Sequence, residues 1–460
     1  MPADRPAVDL AVPAAIHVVG VGGAGMSTLA LLLAEMGHTV SGSDLRRSSV
    51  TDRLERAGVR VSIGHSAAAI GDATVVTGSP AVPADNPELV AAVDRGVRVV
   101  RRPEMMAALA AARPTAAVAG THGKTTTSSM LSLILVSAGL EPSYLLGADV
   151  PGVGAGALWG SGEILVLEAD ESYGAFEQLA PALTVVTNVE ADHLDHYGDL
   201  AHLEEAFADL LGRTSGRSVV MADDPGAARV GAAVDAISVG TTGRVDALIS
   251  SVALGRSSSR FAVRLPDGQS VELLVGSPGL HNVRNASVAA VAAAELGAPT
   301  AAIAQGLARF AGVPRRFEFR GEAAGITFVD DYAHLSAEVG ATLAAAEAGG
   351  FARTIAVFQP HRYTRTQNVA GSFVGAFAQA AHVVVTDVYS AGEEAIPGVS
   401  GQLVATAASQ GREPGTVHYV ADRAQVADVV LALLRPGDLC LTLGAGDLTE
   451  LPDVLMARLG

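Results

Sequence analysis

Short apolar runs alternate with alanine-rich stretches along most of this 460-residue chain. In its first third, the runs IHVVGVG, HTVSGSD, ATVVTGS and VRVVRR are separated by helical patterns such as residues 26–36. Alternating strands and helices are typical of α/β layers built on largely parallel sheets. The pattern therefore predicts an α/β protein whose functional groups lie at the carboxyl ends of its strands.

Two breaks in this alternation divide the chain into three predicted domains. The first lies near residue 112, before the strand TAAVAG, and the second near residue 313, where GVPRRFEFRG follows alanine-rich helices. A chain of this length is expected to hold about three domains. We expect an N-terminal domain over 1–112, a central domain with an added β segment over 113–313, and a C-terminal domain over 314–460.

The charge balance and the apolar runs exclude several classes of protein. A formal net charge of −17 argues against a general nucleic-acid or anionic-membrane binder, since such partners need clustered positive charge. No run reaches the ~18 apolar residues of a membrane span, and the first residues lack a signal-peptide core. We expect a cytoplasmic protein without membrane insertion. The single cysteine, Cys440, excludes an intramolecular disulfide and is expected in a buried strand.

The chain contains a single lysine. Lysine and arginine together number 31, of which 30 are arginine and one is Lys124, inside GTHGKTTT. Arginine has a wide planar head group, whereas lysine is a compact charge on a thin stem. The retention of one lysine at this point indicates a tight site that accepts only this side chain.

The segment AAVAGTHGKTTT around this lysine reads as a strand, a glycine loop and a helix. Such a loop closes backbone N–H groups around phosphate oxygens, and the helix N-terminus adds partial positive charge. Lys124 is expected to reach the outer phosphates, and the Thr125 hydroxyl to ligate Mg²⁺. Val118 stands where the strict pattern has its first glycine, so the motif is a shorter G-T-x-G-K-T loop. The phosphate loop comprises Gly120, Thr121, His122, Gly123, Lys124, Thr125 and Thr126.

Ionisable side chains follow the next two apolar runs. The run ILVLE ends at Glu168, with Asp170 and Glu171 just beyond it, and the run TVVTNV precedes a second cluster. A phosphate loop needs a carboxylate at a neighbouring strand end to hold its metal ion. The two clusters therefore predict a metal site beyond the carboxyl ends of these strands. The second cluster contains Glu190, Asp192, His193, Asp195 and His196.

An earlier motif, HVVGVGGAGMS, has the spacing G-x-G-x-x-G at Gly20, Gly22 and Gly25, with Asp44 at the end of the next predicted strand. This spacing is the fingerprint of dinucleotide binding and would suit an NAD-dependent dehydrogenase. The same glycine turn and helix N-terminus can hold the diphosphate of another nucleotide. A dehydrogenase leaves the phosphate loop and its lysine unused, so we favour the second interpretation.

Polar motifs also mark the rest of the chain. GLHNVRNA places two asparagines at the start of an alanine-rich helix, and GVPRRF places Arg316 at the joint to the third domain. VDDYAH and FQPHRYTRT each follow an apolar run directly. His361, Arg362 and Arg365 in the last motif form a cationic group suited to a small carboxylate, because arginine pairs bidentately with carboxylates.

Taken in order, these motifs resemble those of the Mur ligases over the full length of the chain. The phosphate loop and H-N-x-x-N belong to the wider family, whereas VGVGGAGMS, EADES and FQPHRYTRT point to its alanine-adding member. The resemblance implies a Rossmann-like N-terminal domain for a UDP-sugar, a central P-loop-type ATPase domain and a C-terminal Rossmann-like domain that closes with the amino acid. It also implies ATP-dependent ligation of L-alanine to UDP-N-acetylmuramate through an acyl phosphate, with ATP and Mg²⁺ as cofactors.

The resemblance further implies a role for individual residues. The implied catalytic residues are Lys124, Glu168, His193, Arg316, Asp331 and His334, with Thr125, Glu168 and His193 at the metal. ATP is expected at the phosphate loop and at Asn282, Asn285, Arg316 and Asp331. The UDP-sugar is expected at Gly20, Gly22, Gly23, Ala24, Gly25, Met26 and Asp44. The amino acid is expected at His334, Arg362 and Arg365.

Departures from the family pattern keep other functions open. Tyr173 stands where the family has an acidic residue, and Leu335 and Ser336 replace a histidine and a proline after His334. One alternative is a family ligase with a different amine or acceptor. Another is a homologue that binds UDP-sugar or ATP with weak or no ligase activity. The sequence leaves the general base open, with His196 as one candidate, and predicts no oligomeric state.

Overall fold

The structure, a computed structural model, describes residues 8–79 and 82–460. The chain forms two compact units. The first comprises the described residues up to Ser251 together with Ala262–Leu273 and Arg284–Phe310, and the second comprises Val252–Phe261, Leu274–Val283 and Ala311–Gly460. Three β-sheets follow one another along the chain, and they confirm the predicted three-domain α/β class. No helix within the described ranges is long and apolar enough to cross a membrane.

The first sheet is Rossmann-like. Its five strands are all parallel, in the order β3-β2-β1-β4-β5, so the loop after β1 lies where the strand order reverses. The strands are β1 (Ala15–Val19), β2 (Thr39–Asp44), β3 (Arg60–Ile63), β4 (Val75–Gly78) and β5 (Arg98–Arg101). The helices are α1 (Ala24–Glu35), α2 (Ser49–Arg56), α3 (Pro87–Asp94) and α4 (Arg102–Ala112).

The second sheet has ten strands in the order β15-β14-β13-β12-β11-β10-β6-β9-β7-β8. All five residues of β6 are buried, as expected of a central parallel strand covered on both faces. The strands are β6 (Thr115–Ala119), β7 (Ser143–Leu145), β8 (Ala157–Leu158), β9 (Leu165–Glu168), β10 (Leu183–Val186), β11 (Ser218–Met221), β12 (Ile237–Gly240), β13 (Ala247–Leu254), β14 (Ser259–Arg264) and β15 (Ser270–Val275). The helices are α5 (Lys124–Ser137), α6 (Leu194–Tyr197), α7 (Leu200–Gly212), α8 (Pro225–Ala232), α9 (Leu280–Glu295) and α10 (Thr300–Ala308).

The third sheet has six strands in the order β16-β17-β21-β18-β19-β20, parallel except for the edge strand β16. Cys440 in β21 is fully buried, as predicted. The strands are β16 (Glu318–Ala323), β17 (Ile326–Asp331), β18 (Thr354–Phe358), β19 (His382–Thr386), β20 (Val417–Val420) and β21 (Leu439–Leu443). The helices are α11 (Ser336–Ala348), α12 (Tyr363–Val369), α13 (Gly401–Ala408), α14 (Val426–Leu433) and α15 (Leu451–Leu459).

Candidate active site

The first glycine loop, residues 20–25, joins β1 to α1 at the carboxyl edge of the first sheet. Gly20 has a φ of +73°, which glycine adopts without strain, and its N–H donates to the Ser43 carbonyl at 2.8 Å. The Gly22 N–H donates to Asp44 Oδ2 at 2.9 Å. Asp44 therefore holds the loop from the end of β2. The N–H groups of residues 20–23 all donate within the protein, since Val21 donates to the Ser43 carbonyl at 2.9 Å and Gly23 to the Gly20 carbonyl at 3.2 Å.

The other predicted UDP-sugar residues continue this loop into α1. Gly23 precedes the helix with an extended backbone, and Gly25 lies in its first turn. The Met26 side chain is buried in the core, so it faces away from the loop's solvent side. The side chain of Ala24 lies outside the part that the structure describes.

Two glycines shape the phosphate loop between β6 and α5. Gly120 has a φ of +133° and Gly123 a φ of +81°, in the region that other residues rarely adopt. A side chain on Gly120 would collide with Thr187 Oγ1, and a Cβ on Gly123 would lie 2.7 Å from Asn285 Oδ1. The predicted residue Asn285 thus packs directly against the loop.

Two side chains that sequence reasoning missed hold the loop from the end of β10. The His122 N–H donates to Asn188 Oδ1 at 2.8 Å, and the Asn188 amide donates back to the His122 carbonyl at 2.9 Å. The Thr187 hydroxyl donates to the same carbonyl at 2.6 Å. A polar T-N pair directly after the apolar run LTVV was the signal that could have found them. These bonds pre-organise the loop before any phosphate binds.

Lys124 begins α5, and its ammonium is surrounded by acceptors. Nζ donates to the Gly120 carbonyl at 2.8 Å, to the Thr121 carbonyl at 3.3 Å and to Glu171 Oε2 at 2.8 Å. Burial would lower the pKa of Lys124, but the charges of Glu171 and Asp170 outweigh burial and the pKa is raised. The ammonium therefore stays charged, and its three N–H groups each have an acceptor.

Thr125 and Glu168, two of the predicted metal residues, are adjacent. The Thr125 hydroxyl donates to Glu168 Oε1 at 3.0 Å, and the Gly147 N–H donates to Glu168 Oε2 at 2.7 Å. Burial raises the pKa of Glu168 even though Lys124 opposes this effect. The next residue of the loop, Thr126, is buried with only 6% of its surface exposed, so its side chain supports α5 from inside.

The third predicted metal residue, His193, joins two acidic residues instead. Ligand atoms of Asp170, Glu171 and His193 all lie within 4.8 Å of one another, in an arrangement that could hold a metal ion. His193 has a φ of +52° just before α6, a backbone conformation that residues other than glycine rarely adopt. Hydroxyl, carboxylate and imidazole groups thus gather beside Lys124 at one edge of the second sheet.

Asn282 differs from Asn285 in its surroundings. Its side-chain amide donates to Ser277 Oγ at 3.0 Å and to the Pro278 carbonyl at 2.8 Å, and the residue is buried. These bonds fix the segment that leads into α9. The structure therefore shows Asn282 in a local structural role and shows Asn285 at the phosphate loop.

Asp331 and Arg316 lie at the start of the second unit. Asp331 ends β17 and accepts N–H bonds from Phe317 and Ala333, both at 2.7 Å. Burial raises the pKa of Asp331 to about 6, although the positive charge of Arg316 opposes the rise. The Arg316 guanidinium lies 5.0 Å from the Tyr332 ring. The antiparallel pairing of β16 with β17, in which Glu318 lies opposite Asp330, thus brings Asp331 close to the segment that carries Arg316.

His334 follows β17 and is held by α11. Its Nδ1 lies 3.1 Å from the Tyr332 carbonyl oxygen and 3.3 Å from Glu338 Oε2. Burial lowers the pKa of His334 although Glu338 opposes the effect, so the imidazole is neutral near pH 7. Its ring centre lies 6.0 Å from that of His361, which brings two of the sequence motifs together.

The predicted cationic group on β18 and α12 divides into two parts. Arg365 Nη1 lies 3.3 Å from His361 Nδ1, on the side of His334. Arg362 Nε donates instead to Glu393 at 2.6 Å, in a salt bridge. Burial, together with His334 and Arg365, lowers the pKa of His361 to about 4. Arg365 is therefore the arginine of this group that lies with the two histidines.

These features define a class of protein: a three-domain α/β nucleotide-binding protein with a glycine loop on a Rossmann-like sheet and a lysine-containing phosphate loop beside a possible metal site. Family models identify the class further. The Mur ligase family, catalytic domain, matches residues 15–114, the Mur ligase middle domain matches 118–293, and the Mur ligase, glutamate ligase domain, matches 315–446. The chain belongs to the Mur ligase family, and this membership replaces the dehydrogenase interpretation of the first glycine motif.

Individual relatives resemble the chain over nearly its whole length. It is 48% identical over 455 residues to the UDP-N-acetylmuramate–L-alanine ligase of Kineococcus radiotolerans, covering 96% of this chain and 95% of that one. It is 41% identical over 459 residues to the ligase of the same name from Thermobifida fusca, covering 97% and 96%. The crystal structure of UDP-N-acetylmuramate-alanine ligase from Thermotoga maritima matches with a TM-score of 0.81 at 29% identity, covering 97% and 99%.

Proposed function

We propose that the protein ligates L-alanine to the carboxylate of UDP-N-acetylmuramate with consumption of ATP, a cytoplasmic step of peptidoglycan precursor synthesis. The observation that carries this proposal is the only lysine of the chain, held by two loop carbonyls and Glu171 beside a group of metal-ligating side chains. The similarity to L-alanine-adding ligases over 96% of the chain supports the choice of substrates.

The first step makes an activated acyl group. The carboxylate of the sugar nucleotide attacks the γ-phosphorus of ATP, ADP leaves, and an acyl phosphate forms. Charge develops on the phosphoryl oxygens during this transfer, and its neutralisation dominates catalysis. We assign this role to the Lys124 ammonium and to Arg316. The glycine backbone around Gly120 and Gly123 admits phosphate oxygens close to the loop amides.

The side chains beside the phosphate loop fit Mg²⁺. Thr125 and Glu168 supply a hydroxyl and a carboxylate whose oxygens lie 3.0 Å apart, and such hard oxygens are the ligands that Mg²⁺ prefers. His193 lies with Asp170 and Glu171 at the same sheet edge. Bound Mg²⁺ would neutralise phosphate charge and orient the nucleotide. We propose Thr125, Glu168 and His193 as the residues that hold it.

The second step makes the amide. The amine of alanine attacks the acyl carbon, the C–N bond forms, the bond from carbon to the phosphate oxygen breaks, and the amine loses a proton. Water would hydrolyse the acyl phosphate, so this step needs a closed site. We propose that Arg365, together with Arg362, binds the alanine carboxylate, because arginine pairs bidentately with carboxylates. His334 is proposed to line the same part of the site.

A phosphate-release assay tests the function directly. We expect release that depends on UDP-N-acetylmuramate, ATP and Mg²⁺, and that is fastest with L-alanine among the common amino acids. Faster release with glycine, serine or a preformed peptide would point to a family ligase with another amine. Absence of release with every amine, despite binding of UDP-N-acetylmuramate and ATP, would point to a binding protein without ligase activity.

A further inference from the structure

Arg102, the first residue of α4, lies against the first glycine loop. Its Nη2 atom is 2.7 Å from the point where a Cβ on Gly25 would stand, so the absence of a side chain at Gly25 makes room for the guanidinium. Gly25 lies in the first turn of α1, a helix of 12 residues. The guanidinium therefore stands at the N-terminal end of α1, beside the loop that β1 and α1 form.

The Arg102 guanidinium forms neither a hydrogen bond nor an ion pair with the residues that the structure describes, and its Nε atom is buried without an acceptor. The preceding residue, Arg101, differs in both respects: its side chain is 72% exposed and pairs with Glu104 at 3.2 Å. A buried, unpaired N–H is costly, and a cation at the positive end of a helix is unfavourable. An anion bound between Arg102 and α1 would remove both costs.

The first glycine loop needs such a cation if a diphosphate binds there. Residues 20–27 contain no lysine or arginine, and Asp44 places a negative charge directly on the loop by accepting the Gly22 N–H. The N–H groups of residues 20–23 donate within the protein, so the N-terminus of α1 alone would have to offset both Asp44 and the diphosphate. A guanidinium in contact with Gly25 supplies the missing positive charge, and its planar fork matches phosphate oxygens.

We propose that Arg102 binds the diphosphate of the acyl-donor nucleotide at the N-terminal end of α1, beside the first glycine loop. The inference rests on the proposed function, because it assumes that the acyl donor is a nucleoside diphosphate sugar. It adds a cation outside the glycine motif, on the helix that follows β5, as the residue that makes the loop selective for an anionic ligand.

Arg102→Gln tests the proposal, with Arg101→Gln as a matched control that removes the same charge one residue away. Calorimetric titration with UDP should show roughly 10- to 100-fold weaker binding for Arg102→Gln, which corresponds to about 1.4 to 2.8 kcal/mol at 1.4 kcal/mol per tenfold. The affinity for uridine and the KM for ATP should each differ from wild type by less than about twofold, a difference within the precision of such assays. Arg101→Gln should bind UDP like the wild type.

Stability separates a binding role from a structural one. Arg102 has no hydrogen bond or ion pair with a described residue to lose, so the ligand-free Arg102→Gln protein should unfold at about the same denaturant concentration as the wild type or at a higher one. Arg102→Lys keeps the charge without the fork and should bind UDP with intermediate affinity. A loss of stability without a loss of UDP affinity would overturn the proposal.

Two further outcomes distinguish a failure of this inference from a failure of the proposed function. Equal UDP affinity in wild type and Arg102→Gln overturns this inference alone. This holds even if Arg102→Gln binds UDP-N-acetylmuramate more weakly, because that result would assign Arg102 to the sugar carboxylate and not to the diphosphate. If the wild-type protein binds neither UDP nor UDP-N-acetylmuramate, the inference and the proposed function are overturned together.

Discussion

Lys124→Arg separates the shape of the phosphate-loop cation from its charge. The Lys124 ammonium donates to the Gly120 and Thr121 carbonyls and to Glu171, at 2.8, 3.3 and 2.8 Å. An ammonium offers three N–H groups in a tetrahedral arrangement, which these acceptors match. A guanidinium is planar and wider, so it can keep the ion pair with Glu171 but cannot fit between the two loop carbonyls.

The expected loss follows from the role of a pre-organised donor at developing charge. Removal of one such donor lowers kcat by about 10²- to 10³-fold, or roughly 2.7–4 kcal/mol. We therefore expect Lys124→Arg to lose at least ~100-fold in kcat. Stability should respond differently. Lys124→Met leaves the Glu171 carboxylate buried without its cation, at a cost of about 3–5 kcal/mol, whereas Lys124→Arg keeps that charge.

Phosphate release with saturating substrates measures the loss of kcat, and urea denaturation measures the loss of stability. We expect both variants to lose at least ~100-fold in activity, and only Lys124→Met to be strongly destabilised. Near-normal turnover by Lys124→Arg would show that the site is not tight and that the single lysine has no special significance. Equal loss of stability in the two variants would show that the wider head group breaks the ion pair with Glu171.

Three other changes test separate parts of the protein. Gly123→Ala should lower the free energy of unfolding by about 1–2 kcal/mol, because of the left-handed backbone at this position, and should also raise the KM for ATP. Gly139 has a similar φ but lies in open space. Gly139→Ala should therefore lower the free energy of unfolding by the same amount, about 1–2 kcal/mol, without raising the KM. The double variant with Arg362→Ala and Arg365→Ala should raise the KM for alanine far more than the KM for ATP. Equal rises in the two KM values would show that the amine substrate binds elsewhere. Burial raises the pKa of Asp331 to about 6 from 3.8, so the folded state holds its proton longer than the unfolded state. The free energy of unfolding should therefore fall by up to about 3 kcal/mol as the pH rises from about 4 to 6, and parallel curves for wild type and Asp331→Asn would contradict this.

The sequence located the elements of the site better than their partners. Apolar runs marked the strands, so the positions of the phosphate loop after β6 and of Glu168 at the end of β9 follow from periodicity and from the rule that parallel strands end at one edge. The contacts of Asn188 with His122 could not be predicted in this way. A pattern tells which residues leave a strand at that edge, but the choice of hydrogen-bond partner depends on backbone geometry that tertiary packing sets.

The same distinction explains Asn282 and Asn285. Both asparagines belong to one motif at the start of α9, and sequence spacing treats them alike. In the structure, Asn285 packs against Gly123, whereas the Asn282 amide donates to Ser277 and Pro278. Residues three apart are neighbours on one helix face, so spacing alone does not separate them; the nearby Ser277 and Pro278 decide the partners of the Asn282 amide.

The departures at Leu335 and Ser336 have a local explanation in the structure. Glu338 accepts N–H bonds from His334 at 2.8 Å and from Leu335 at 3.1 Å, and its carboxylate lies 3.3 Å from His334 Nδ1. A rigid proline is therefore not needed to start α11, because these bonds hold the preceding turn. A second imidazole is not needed to orient His334 either, since the Tyr332 carbonyl and Glu338 already do so. The two substitutions remove neither the buried histidine nor its supports, which is why they argue less against ligase activity than the motif alone suggests.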